Sequence, residues 1–203
     1  MPSRPHSVET DSPKDRLAGL YERMEQAYDQ VADRIGLSCS HCLDNCCTSY
    51  FQHHTYIEWA YLWSGLETCS PSRRQAVQEK AQAYVQATRE ALAADLKPGM
   101  MCPLNQDGWC DLYAYRMMIC RLHGVPNRVR MPDGQTREFP GCATTQQLVS
   151  GQSRFPALDR TPFYVELAQL EREFLSSGSR SLPRVKLTLA EMIVQGPPPI
   201  KFD

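Results

Sequence analysis

The chain has 203 residues and a formal net charge of -1, with 22 Lys and Arg set against 23 Asp and Glu. That length can bury one sizeable core, and so even a balance provides no broad basic field of the kind that draws in nucleic acid or anionic lipid. No stretch approaches the ~18 consecutive apolar residues of a membrane span, and the polar start MPSRPHSVETDSPKDR lacks the apolar region of a secretory signal, so a cytoplasmic chain with neither nucleic acid nor membrane as partner is expected.

Residues 1–11 are polar and aperiodic and read as a flexible tail ahead of a single domain over 12–203. From Pro13 the apolar positions Leu17, Leu20, Tyr21, Met24, Ala27, Tyr28, Val31 and Ile35 recur at steps of three and four, the stripe of an amphipathic helix. Ser12 is placed to cap it, Pro13 suits its first turn, and Gly36 suits its end. The stretch 39–47, CSHCLDNCC, follows at once. Beyond it, YIEWAYLWSGL at 56–66 predicts a short buried helix, and 71–96, rich in Ala, Gln, Glu and Arg, a long exposed one ended by Lys97, Pro98 and Gly99.

The segment 100–124 is dense in cysteine and predicts irregular chain. Within 125–140, RVRMPDGQTREF places Pro-Asp-Gly between alternating residues, the mark of a β-hairpin. Helices are predicted at 161–176 and 188–195, the second opening with Thr188 and Glu191 at capping-box spacing, and the tail GPPPIKFD is not helical. The expected fold class is mainly α: a helical domain around a cysteine-rich irregular metal-binding core at about 39–142, with a small β-hairpin.

The cysteines carry the chemistry. There are nine, an odd number that cannot pair completely, and in a reducing cytosol clustered thiols are metal ligands or redox groups more often than disulfides. Adjacent Cys46 and Cys47 could bridge each other only with strain. Eight thiols group: Cys39, Cys42, Cys46 and Cys47 in the opening stretch, Cys102 and Cys110 in CPLNQDGWC, Cys120 in MMICRLHG and Cys142 in FPGC. In CPLNQDGWC the Asp107-Gly108 turn can fold two short arms so that Cys102 and Cys110 meet. Thiolates are strong soft donors, and eight suffice for two four-thiolate sites. Cys69, in the polar run ETCSPS, is left out and expected to be exposed. On an extended path Cys46 and Cys47 would point to opposite sides, one joining the opening group and the other reaching toward the thiols of 102–142.

The ordered set of CSHCLDNCC, then CPLNQDGWCDLYAYRMMICRLHG, then Cys142 resembles the YkgJ-type cysteine-cluster family, described as a zinc- or iron-chelating domain that shares its core with flagellin lysine N-methylases. The resemblance covers about 39–142, roughly half the chain, and implies metal binding through these cysteines. It supplies no reaction. No glycine-rich turn stands between a strand and a helix to bind S-adenosylmethionine, and C-x2-C-x3-C over Cys39, Cys42 and Cys46 reverses the usual radical-enzyme spacing, so no catalytic residue is assigned. The resemblance and the vicinal pair, which a polynuclear centre accommodates more easily, favour an iron-sulfur cluster; zinc is the alternative.

The expected function is therefore that of a cytoplasmic iron-sulfur protein in electron transfer, redox sensing or accessory work for another enzyme, with a redox or other protein partner. The alternative is a zinc-stabilised protein-interaction module, and metal-dependent protein modification carries less weight. Arg116 and Arg121 flank Cys120 in sequence and could offset thiolate charge. His41 and His123 could replace a thiolate but read better as outer donors or surface groups, and His53 and His54 have weaker claims. Trp109, Tyr113 and Tyr115 are expected to shield the centre from water.

Overall fold

The computed structural model describes residues 12–38, 46–176 and 182–202, so the expected tail, Cys39, His41 and Cys42 lie outside the described residues. Helix α1 spans Pro13–Ile35, with the Ser12 side chain accepting from the Asp15 N–H and Gly36 closing the helix in the left-handed region at φ 69. Both caps satisfy backbone groups that a helix end leaves open. The inward face of α1 buries Leu17, Leu20, Tyr21 and Met24, as its period requires.

Helix α2, Tyr56–Thr68, is buried nearly all round. Its own N-cap, Thr55, makes no side-chain capping bond; instead the carboxylate of Glu171 accepts from the N–H groups of Tyr56 and Ile57, each at 2.9 Å. Helix α3, Pro71–Ala93, is capped by Ser70. It ends earlier than expected, because Asp95 turns left-handed at φ 56 before Lys97 is reached. It is not exposed throughout: Val77, Ala81, Tyr84, Val85 and Thr88 are buried, on the helix against which α7 packs.

The segment 100–124 is more regular than expected. Strands β1, Asn105–Gln106, and β2, Trp109–Cys110, pair antiparallel across Asp107 and Gly108, both at positive φ (50 and 91), as a type I′ turn demands. A 3-10 turn over Tyr113–Tyr115 leads to the short helix α4, Met118–Leu122. The predicted hairpin forms as β3, Asn127–Arg130, against β4, Thr136–Phe139. A third strand, β5, Leu158–Asp159, adds parallel to β3 and gives the order β4-β3-β5. Neither β5 nor helix α5, Ala143–Leu148, was legible, since two and six residues are too short to display a period.

Helix α6, Thr161–Ser176, and helix α7, Leu189–Gln195, stand where expected, α7 with the full capping box of Thr188 and Glu191. Helix α1 packs on α6 and α4, and α2 on α6. One core joins Leu20, Ile57, Leu62, Met117, Leu170 and Ile193, drawn from four helices and the residue that leads into α4. The fold is thus mainly helical with a small β component. No helix among the described residues is long and apolar enough to cross a membrane.

Candidate metal centre

Cys46 and Cys47 lie in a single 3-10 turn, Cys46–Thr48. The turn, not an extended path, sets their directions, and both face one cavity rather than opposite sides. That cavity, of about 30 Å³, is lined by Cys46, Cys47, Cys102 and Cys120 together with Phe51, His53, Tyr84, Pro103, Leu189 and Ala190. The Cys102 N–H donates to the Cys47 carbonyl at 2.7 Å, which ties the opening loop to the later one. Cys110 pairs in register with Asn105, and its thiol acts electrostatically on Cys120. The structure therefore brings five thiols from three segments into one neighbourhood.

Their protons are unevenly held. Cys102 and Cys46 hydrogen-bond to Cys47, and these two bonds lower the Cys47 thiol despite its burial. The same bonds, reinforced by burial, raise Cys46 and Cys102. Burial raises Cys110 and pushes Cys120 up to about 12. Against these effects the Arg116 guanidinium favours the thiolate at Cys46, Cys47, Cys110 and Cys120. Among the described residues no three Cys, His, Asp or Glu side chains form a set arranged to hold one ion. As chemistry, a group of soft sulfur donors beside a fixed positive charge suits zinc or iron, which replace the protons shared between the sulfurs.

The two arginines do different work. Arg116 lies over the Tyr113 ring at 3.5 Å and within 3.6 Å of Glu25. Arg121 donates to the carbonyls of Arg116 and Ala114 at 2.8 and 2.6 Å and covers the Tyr21 ring at 4.4 Å. Arg121 therefore folds the 113–116 turn, and Arg116 is the cation that the thiols feel most widely.

Cys142 does not line the cavity; it precedes α5, its N–H donates to the Gly124 carbonyl at 2.9 Å and its Sγ donates to the Thr145 hydroxyl at 3.6 Å. Cys69 ends α2 half-buried, not exposed, with Sγ 3.9 Å from the Gly65 carbonyl. The aromatic shield is also differently built. Trp109 is 76% exposed and Tyr113 50%, while Tyr115 packs on Tyr61 at 5.1 Å, so cover at the cavity comes from Phe51, Tyr84, Leu189 and Ala190. His123 meets the Phe51 ring at 5.3 Å, His54 bonds the Val185 carbonyl at 3.2 Å, and His53 lines the cavity itself.

One residue the sequence reading passed over organises this region. Glu58, buried in α2, accepts from the Tyr21 hydroxyl at 3.0 Å, the Met118 N–H at 2.8 Å and the Thr55 hydroxyl at 2.7 Å. Met118 is the first residue of α4, so Glu58 fixes the helix that carries Cys120 to α1 and α2. The available signal was a lone acid in the apolar run YIEWAYLW, since a buried carboxylate must find donors.

No family model, curated protein or solved structure matches the chain.

Proposed function

We propose that this is a metal-binding cysteine-cluster protein of the YkgJ type, holding an iron-sulfur centre and serving electron transfer, redox sensing or accessory work for another enzyme. The observation that supports it is the meeting of Cys46, Cys47, Cys102, Cys110 and Cys120 from three segments beside the Arg116 cation. These thiols, with Cys39 and Cys42 from the adjoining stretch, would hold the centre, which would supply one-electron chemistry. The chain's own part is to orient sulfur through the Cys102 to Cys47 backbone bond and Glu58, to balance charge through Arg116, and to exclude water with Phe51 and Tyr84. Thiols in this number need a reducing compartment, and the cytoplasm is the one proposed.

One observation favours the zinc-stabilised reading. A cavity of about 30 Å³ has room for a guest the size of one ion or water, whereas a polynuclear centre requires the thiols to move apart. Anaerobic purification with an absorption spectrum and elemental analysis decides between them. Iron, sulfide and broad visible absorption support the first reading, a colourless protein with stoichiometric zinc the second, and a protein without metal overturns both.

A further inference from the structure

We propose that His53 is a ligand of the same centre, making it a mixed thiolate and imidazole site; this rests on the metal-binding reading above. His53 is 4% exposed and lines the cavity with Cys46, Cys47, Cys102 and Cys120. No other histidine lines that cavity among the described residues. Its backbone is fixed independently of its ring: the His53 N–H donates to the Leu187 carbonyl at 2.7 Å and its carbonyl accepts from the Leu187 N–H at 3.1 Å. That bridge anchors the ring's base to the chain just ahead of α7, whose Leu189 and Ala190 form another part of the wall.

Exchanging one thiolate for a neutral imidazole removes one negative charge from the centre, and in iron-sulfur proteins that exchange raises the reduction potential.

The test is X-ray absorption at the metal edge on the purified, metal-loaded full chain and on two variants, His53→Ala and His53→Cys. Wild type should fit sulfur scatterers plus one nitrogen from imidazole, with its multiple-scattering signature. His53→Cys should keep the metal and trade that nitrogen for sulfur, and His53→Ala should lose the nitrogen signal. A wild-type spectrum fitted by sulfur alone overturns the inference while leaving the metal centre standing. So does an unchanged nitrogen contribution in both variants. A protein that binds no metal overturns the inference and the reading beneath it together, and metal content measured on the same samples distinguishes that outcome. Should His53→Ala not fold, His53→Cys alone decides, since the backbone bridge to Leu187 does not need the ring.

Discussion

Helix α1 and the segment 102–122 meet the same core by different means. Helix α1 buries Leu17, Leu20, Tyr21 and Met24 along one continuous stripe, and its end groups are satisfied by its own caps. The later segment buries Leu104, Leu112, Met117, Met118 and Leu122, positions without a common period, and borrows its hydrogen bonds from elsewhere. Glu58 holds the Met118 N–H, Cys47 holds the Cys102 N–H, and Lys80 reaches the Asn105 carbonyl and Gln106. Arg73 pairs with Asp111. A segment ordered by imported bonds is only as firm as its lenders, and metal would be the strongest of them.

The largest effect should come from taking metal away. Chelation followed by hydrogen exchange is expected to cost the amides of 102–122 about a hundredfold in protection, and those of α1 a few-fold at most. The β3–β4 ladder, which has its own backbone bonds, should follow α1. Equal losses in α1 and 102–122 would mean that the two regions form one cooperative unit.

Next in size is the link between the regions. Glu58→Ala strands the Tyr21 and Thr55 hydroxyls and the Met118 N–H, and unmet buried donors of this kind cost about 1–3 kcal/mol each, partly relieved by relaxation. A total near 3 kcal/mol is expected in denaturant melts. Glu58→Gln, which keeps an acceptor, should lose less. If Glu58→Ala melts like wild type, Glu58 is not the clamp on α4.

Gly65→Ala is expected to cost about 2 kcal/mol, even though alanine is the better helix former. A Cβ there would run into the Tyr115 ring, which packs against α2 at Gly65, and moving that ring disturbs the turn that Arg121 holds. Thermal melts with the Tyr115→Ala partner change make the check, since removing the ring should make Gly65→Ala nearly neutral.

How much of this was legible follows from the same contrast. Periodicity located α1 because one face of it must be buried, and local signals at Ser12 and Gly36 marked its ends, as the capping box of Thr188 and Glu191 marked the start of α7. Pro-Asp-Gly located the β3–β4 hairpin, and Asp107-Gly108 marked the turn between β1 and β2 in a segment otherwise read as irregular. What stayed hidden depends on residues far apart in the chain: Glu171 capping α2, His53 joining the cavity through Leu187, and Cys142 turning to Thr145. Spacing reports neighbours within a segment and is silent on which distant segment arrives.

Glu171 supplies a pH test of such a distant bond. Burial raises its carboxyl pKa, against the pull of the Tyr56 and Ile57 N–H groups. A folded-state value above the unfolded one means that stability is fullest below the ordinary carboxylate range and falls as pH rises through the raised value. Glu171→Gln lacks this titration, so its stability relative to wild type should improve between pH 4 and pH 7. A difference that stays flat, or that worsens, means the two N–H bonds outweigh burial at this site.

The smallest effect is expected at the ninth cysteine. Cys69 stands at the C-terminal end of α2, where its N–H donates to the Leu66 carbonyl, and its sulfur meets only the distant edge of a hydrogen bond to Gly65 at 3.9 Å. It shares the core's margin but does not line the cavity with the other thiols. A serine there is close in size and keeps a donor for the same carbonyl, so Cys69→Ser should cost under about 1 kcal/mol and leave metal per chain unchanged. Cys102→Ser, in the same assay, should remove most of it. That pairing separates a thiol that packs from a thiol that binds, and a loss at Cys69 equal to the loss at Cys102 would place the ninth cysteine in the ligand set.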